Sequence, residues 1–278
     1  HRIAAADISH VGHGTTVATN LIIERKGAPV GLITTRGFRD ILEIGRQTRP
    51  HLFDYAVGKP PVLVPRRHRL EVDERIDAQG QVRVALDEQG VRDAALALRD
   101  AGIEAVTICF LHAYGNPAHE QRARDIVREV MPQAYISVSS EVLPEFREYE
   151  RLSTTVLNAA VGPRMARYLD RFLDRVKGLG IAHDPFTIHS NGGLMSAGSV
   201  RQFPVRTCLS GPAAGVVGAA AVGRAIGYPD LVTFDVGGTS TDVSLIAAGR
   251  PLFTSNRQVA GYPVKTPMVD IHVIGAGG

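Results

Sequence analysis

The segment LVTFDVGGTSTDVSLI, residues 231–246, sets two adjacent glycines, Gly237 and Gly238, between aspartates and hydroxyl residues. Glycine has no Cβ to block an anion, so the backbone N–H groups of such a turn can converge on a phosphate. Thr239, Ser240 and Thr241 add hydroxyl donors. Asp235, where the first apolar run ends, is suited to hold Mg²⁺, an ion that keeps several waters and takes one or two carboxylates. Asp242 could join the metal or orient a water. Glycine and aspartate also build ordinary turns. Asp-x-Gly-Gly-Thr with a second Asp three residues on, between two apolar runs, is much more specific. It is neither a Walker loop nor a dinucleotide-binding fingerprint, because GxxxxGK[ST] and a GxGxxG after a strand are both absent.

A second group of chemistry-bearing residues lies near the start: His13, Gly14, Thr15, Thr16 and Asn20. A glycine-bounded turn there leads into a helix, whose first N–H groups and partial positive charge suit a γ-phosphate or oxyanion. A helix capped by Thr15 or Thr16 explains the same residues without a ligand, and His13 alone fits a satisfied loop histidine. Cys109 and Cys208 sit in apolar surroundings far apart in sequence and read as buried free thiols. The charged run Glu145, Arg147, Glu148, Glu150 and Arg151 reads as a solvated helix face with i,i+4 pairs.

These residues need a scaffold, and the periodicity predicts an α/β one. A helix is expected over residues 17–26 and a buried strand over 27–34, then a long proline-bearing loop over 45–67. Residues 69–84 read as one hairpin turning at 77–80. Helices over 87–101 and 117–130 alternate with strands over 105–111 and 135–138. A helix over 144–160 should break at Gly162-Pro163 and restart to Gly178, with Met165, Leu169, Phe172 and Val176 as its core stripe. A short strand over 184–189 runs into Ser190-Asn191-Gly192-Gly193, a Gly/Ala-rich helix covers 211–226, and strands over 231–235 and 243–246 flank the glycine turn. A division is expected near residue 140.

With 278 residues, 44% hydrophobic and 21% charged, the chain can bury a sizeable core as one large body or two subdomains. Its net charge of +3 comes from scattered Lys and Arg, so nucleic acid is not implied, and no apolar run is long enough to cross a bilayer. No signal-peptide pattern follows His1, which points to the cytoplasm. The absence of a starting methionine and the closing glycine run, with Gly275 and Gly277, lead to the expectation that the chain is truncated at both ends.

The hairpin resembles the phosphate hairpin of the actin-like ATPase superfamily. That resemblance implies RNase H-like lobes, truncated at both ends and carrying an inserted α/β subdomain, with a second hairpin expected before His1. Several segments in order, HGTTVATNLIIERKGAPVGLITTRGFRDILEIGRQTRP, SSEVLPEFREYERLSTTVLNA, SNGGLMS, LSGPAAGVVGAA, FDVGGTSTDVSLI and IGAGG, are similar to the signatures of the hydantoinase A/5-oxoprolinase family. Residues 1–140 then correspond to the remainder of its N-terminal domain and 141–278 to the start of its ATPase domain. The family resemblance implies catalytic roles for His13, Thr15, Thr16, Asp235 and Asp242, the two aspartates also as metal ligands. It implies nucleotide contacts at Asn20, Asn191, Gly192, Gly193, Gly211, residues 237–241, Gly275 and Gly277, and leaves a cleft-lining role open for Glu148 or Arg151. ATP and Mg²⁺ are the implied cofactors. The implied activity is ATP-driven opening of a cyclic amide, hydantoin or 5-oxoproline, through phosphorylation of the ring carbonyl. A hydantoinase B-type subunit or domain and an oligomeric assembly are the implied partners. The alternatives are a ketone carboxylase subunit using bicarbonate and a non-catalytic nucleotide-dependent module. Residues 1–278 alone are expected to turn over ATP weakly or not at all.

Overall fold

A computed structural model describes residues 4–48, 53–54, 56–237 and 241–274. It divides into two compact units, a parallel-sheet unit (Ile22–Arg164 with Gln258–Lys265) and a hairpin unit (His1–Leu21, Met165–Arg257 and Thr266–Gly278). Packing therefore groups the chain differently from the linear division expected near residue 140. Residues 4–21 fold with the C-terminal half because their short strand pairs with one from that half.

Along the chain the main elements are β1 (Gly12–His13), α1 (Val17–Ile23), β2 (Val30–Thr35), β3 (Arg69–Val72), α2 (Glu88–Asp100), β4 (Ala105–Cys109), α3 (Ala118–Val130) and β5 (Tyr135–Val138). There follow α4 (Glu148–Gly178), β6 (Phe186–Ile188), β7 (Leu194–Met195), α5 (Ser210–Ala225), β8 (Leu231–Val236), β9 (Thr241–Ala247) and β10 (Ile271–Ile274).

In the parallel-sheet unit the strand order is β3-β2-β4-β5, with every neighbour parallel. Every residue of β2 and β4 is buried. A parallel sheet covered on both faces demands such continuous apolar runs in place of alternation. On one face Ile33, Val106 and Ile108 meet Val91, Ala95 and Leu98 of α2 and Ala123, Ile126 and Val127 of α3. On the other, Val30, Leu32 and Ala105 meet Leu152, Val156 and Ala159 of α4. The Asp87 carboxylate caps α2 by accepting the Gly90 N–H at 2.9 Å.

Two local expectations are corrected here. Residues 69–84 are not one hairpin. β3 joins the parallel sheet beside β2, and only Arg75–Ile76 and Val82–Val84 pair antiparallel. A charged residue can open β3 because the Arg69 guanidinium, 1% exposed, donates to the Val64 carbonyl at 2.8 Å and to Glu43 at 2.9 Å. Nor does α4 break: it runs unbroken through Gly162 and Pro163. Proline in a helix interior costs about 3 kcal/mol. The cost is offset by the wall that Leu152, Val156 and Ala159 place on the sheet, while Gly162 lets the Tyr135 ring lie against the helix where a Cβ would not fit.

The hairpin unit pairs β1 parallel with β6 and β6 antiparallel with β7, while β8 and β9 form an antiparallel pair that β10 extends. Helix α5 packs on the second sheet, its Ala213, Val216 and Ala220 buried with Ile246, Val269 and Ile271. Small side chains on that face bring helix and strands close together. Among the described residues no helix is long and apolar enough to cross a membrane.

Candidate functional site

The described residues singled out as catalytic or nucleotide-binding belong to the hairpin unit, and α5 is approached by Thr15, Thr16, Gly192, Asp235 and Asp242. The apolar runs around the glycine turn fold into β8 and β9, in a register that sets Asp235 opposite Asp242 and Val236 opposite Thr241. Gly238, Thr239 and Ser240, with Gly275 and Gly277, lie outside the described residues. Behind the aspartates is a cleft of about 250 Å³ between α5 and the strands, lined on the helix side by Pro212, Gly215, Val216 and Ala219 and on the strand side by Thr233, Phe234, Asp235, Asp242 and Ile271. Burial pushes the Asp242 carboxyl above the usual carboxylate range, and the neighbouring Asp235 charge pushes the same way against the pull of Arg257. Burial in turn lowers Arg257, which donates to the Ile271 carbonyl. Two carboxylates side by side with one half-buried guanidinium are an environment that a divalent cation would relieve. Among the described residues no third His, Cys, Asp or Glu joins them, a donor set that fits Mg²⁺ with its waters better than zinc.

The start of α5 meets the start of α1. A Cβ added to Gly14 would lie 3.4 Å from the Gly211 Cα, so the two backbones run in close approach. Ser210 stitches them together: its hydroxyl accepts the Thr15 N–H at 3.2 Å and donates to the Thr15 carbonyl at 2.9 Å. Thr19 adds a third tie by accepting the Leu209 N–H at 2.9 Å. The Thr15 hydroxyl accepts the N–H of Val17, the first residue of α1, at 3.2 Å. Thr16 and Asn20 are exposed one turn apart on α1, joined by an amide-to-hydroxyl contact of 3.5 Å.

His13, at the end of β1, hydrogen-bonds the Tyr168 hydroxyl through Nε2 at 2.7 Å and stacks on Phe172 at 4.2 Å between ring centroids. Burial lowers its pKa, so the ring is neutral at physiological pH. Met165, Leu169 and Val176 are buried as the stripe predicts. Phe172 instead serves the histidine.

Asn191, Gly192 and Gly193 form the β6–β7 turn. Their three amides are engaged within it: the Asn191 N–H donates to His189 Nδ1 at 2.9 Å, the Gly192 N–H to the His189 carbonyl at 2.8 Å, and the Gly193 N–H to Asn191 Oδ1 at 2.9 Å. Gly192 is needed for its left-handed φ of 80° and for its close approach to Val217 of α5.

Sequence reasoning missed Ser210 and Tyr168, whose partners are far away in the chain, and His189 and Arg257, whose roles come from a turn and from a neighbouring strand. Both cysteines are buried and free, and burial pushes Cys208 up to about 12, which leaves it unreactive. The charged run at the start of α4, in the parallel-sheet unit, is solvated only in part. Arg151 is fully buried, donates to the Phe110 carbonyl at 2.7 Å and lies over the Tyr114 ring at 5.3 Å, so the solvated-face expectation fails there. Its planar guanidinium finds a carbonyl and a ring face that offset desolvation.

Residues 1–131 match the hydantoinase/oxoprolinase N-terminal region, and residues 151–278 match hydantoinase/oxoprolinase. The chain is 37% identical over 275 residues to caprolactamase subunit alpha of Pseudomonas jessenii, and 34% over 305 residues to 5-oxoprolinase of Saccharomyces cerevisiae. These alignments take 98% of this chain in each case and 40% and 23% of the relatives. Identity to acetone carboxylase beta subunit of Xanthobacter autotrophicus is 32% over 287 residues, covering 99% of this chain and 40% of the relative. The crystal structure of ATP-dependent caprolactamase from Pseudomonas jessenii superposes with a TM-score of 0.90 at 36% identity, and nucleotide-free acetone carboxylase with 0.88 at 32%. Each superposition covers 99% of this chain and 40% of the other. The fold is thus the mixed α/β one of these enzymes, consistent with an actin-like ATPase, and the chain spans at most 40% of the length of these relatives.

Proposed function

Because the chain belongs to the hydantoinase/oxoprolinase family, we propose that it is the ATP-hydrolysing part of an enzyme that opens a cyclic amide such as a hydantoin or 5-oxoproline. The observation that carries its nucleotide part is the Asp235–Asp242 pair in the cleft against α5, and the amide rests on the likeness to caprolactamase and 5-oxoprolinase. An amide carbon is a poor electrophile, and phosphorylating the ring oxygen gives it a leaving group. The γ-phosphoryl group passes to that oxygen as the β–γ P–O bond breaks. One water then adds to the ring carbon as the C–N bond breaks, and a second releases phosphate from the acyl carbon.

Asp235 and Asp242 would hold Mg²⁺, which supplies charge neutralisation for the phosphates when bound. The hairpin amides and the hydroxyl of Thr241 would position the phosphoryl oxygens, with Thr16, Asn20 and the Gly211 backbone flanking them at the joined helix starts. His13, neutral and fixed by Tyr168 and Phe172, would orient a ligand group there without competing for the proton of an attacking water. Positioning and electrostatic stabilisation of this kind supply most of the rate in phosphoryl transfer. A hydantoinase B-type partner would complete the hydrolysis, in the cytoplasm.

A ketone with bicarbonate is the second reading, favoured by the match to acetone carboxylase. The amide stands first because identity and TM-score are both higher for the caprolactamase. The test uses the full-length protein with its partner subunit and a panel of cyclic amides whose ring carbonyl carries ¹⁸O. The expected result is amide-dependent phosphate release with ¹⁸O in the phosphate. Unchanged basal turnover across the panel, with labelled bicarbonate entering a ketone, would move the assignment to the carboxylase.

A further inference from the structure

His189 follows β6 directly and is used by none of the steps above. The Asn191 N–H donates to its Nδ1 at 2.9 Å, so Nδ1 carries no proton and the ring hydrogen resides on Nε2. That Nε2–H has no hydrogen-bond partner among the described residues, nor is it sealed from solvent as an orphaned buried donor. Burial, helped by the Arg206 charge, lowers the pKa of the ring to about 4, which favours the neutral ring at neutral pH.

Its backbone neighbours are tied to the segment that borders the cleft. β6 runs parallel to β1 with Thr187 opposite His13, so His189 lies at the carboxyl ends of two parallel strands, where α/β folds place ligands. The next residue, Ser190, donates its N–H to the Arg206 carbonyl at 2.7 Å, and its carbonyl accepts the Val269 N–H at 2.8 Å. Two residues beyond Val269 comes Ile271, which lines the cleft with Asp235 and Asp242. On the other side the turn is pinned to α5 through Gly192 and Val217.

We propose that His189 is a neutral, tautomer-fixed hydrogen-bond donor that presents Nε2–H to a phosphoryl oxygen as charge develops on it during transfer. The proposal rests on the nucleotide reading of this cleft, and not on the identity of the acceptor. A neutral donor suits this role because it stabilises the oxygen without protonating it and does not repel the metal. Preorganised donors of this kind act without reorganising during the reaction.

Two variants separate the donor from the turn. His189→Asn keeps an acceptor near the Nδ1 position for the Asn191 N–H and removes the Nε2 donor. His189→Gln carries an amide N–H toward the Nε2 position. In the full-length protein with its partner, H189N should lower kcat for ATP hydrolysis by about 100-fold, the effect of removing one such donor. The ADP dissociation constant and melting temperature should stay near wild type, and H189Q should recover part of the rate. In ¹⁵N imidazole spectra of the wild type, the ring should be the Nε2–H tautomer from about pH 5.5 to about pH 8, and its Nε2–H resonance should move on addition of Mg²⁺ and a non-hydrolysable ATP analogue. An H189N enzyme with wild-type kcat, an imidazolium at about pH 6, or a resonance unmoved by the analogue would overturn the proposal. If the resonance moves and H189N slows ATP turnover but no cyclic amide is opened, the ring-opening reading fails and the donor stands. If cyclic amides are opened while resonance and rate stay unmoved, the donor fails and the ring-opening reading stands.

Discussion

The two units put similar residues to opposite ends. In the parallel-sheet unit β2 and β4 bury every residue, and the buried charges are committed to the fold: Arg69 to carboxylates and a carbonyl, Glu120 to three donors, Arg151 to the Phe110 carbonyl. In the hairpin unit β8 leaves Val232, Phe234 and Val236 at 54%, 68% and 64% exposed, and Asp235 faces Asp242 of β9, with Arg257 the one cation among the described residues whose charge pulls against the raised Asp242 carboxyl. Polar groups that stabilise a fold are those already satisfied, while groups free to bind are those whose partner is still to come. The buried carboxylates and guanidinium groups of the first unit thus read as scaffold, and the facing aspartates of the second are the pair we propose for chemistry.

The largest effect that would sharpen this contrast is expected at Glu120. Its carboxylate accepts from the Phe110 N–H at 2.8 Å, the Ser139 hydroxyl at 2.6 Å and the Ser140 N–H at 2.8 Å. Glu120→Ala strands all three donors and should cost roughly 3 kcal/mol or more in chemical denaturation, whereas Glu120→Gln, which keeps an acceptor, should cost about 1 kcal/mol. Equal costs for the two variants would mean that the network is not what holds that corner together.

A smaller effect is expected from acid. The folded pKa of His189, about 4, lies below the ordinary histidine value of 6.5, so its contribution to stability is complete above 6.5 and is lost as pH falls toward 4. Burial lowers His13 in the same direction. The melting temperature of the hairpin unit should therefore drop across that window, and H189N should flatten the slope while leaving the part due to His13. A slope identical in wild type and variant would place the acid sensitivity elsewhere.

Much of the scaffold is legible in the sequence. β5 occupies the expected residues 135–138, and α2 and α3 begin and end within a residue of expectation, because caps, glycine stops and apolar spacing are local signals. The register of Asp235 and Asp242 is legible for a similar reason: two alternating runs around a tight turn leave few pairings. What sequence did not reveal depends on distant partners. β3 reads as half of a hairpin until β2 lies beside it, and Pro163 reads as a break until packing on the sheet offsets its cost. Arg151 reads as solvated until the Phe110 carbonyl and the Tyr114 ring enclose it. Ser210 lies in a quoted signature segment without being singled out, because it matters through an atom 195 residues away, and His189 matters through a turn geometry. Asn191 and Gly193 were visible as candidates, yet their amides serve the turn that fixes His189.

The most direct test of the central claim, that Asp235 and Asp242 grip a magnesium-bound nucleotide, is equilibrium binding of ADP to the full-length protein with and without Mg²⁺, for wild type and for Asp242→Asn. Binding to the wild type should tighten on addition of Mg²⁺ by about tenfold or more, and the variant, with its thermal stability unchanged, should lose most of that gain. An equal Mg²⁺ effect in both proteins would contradict the account.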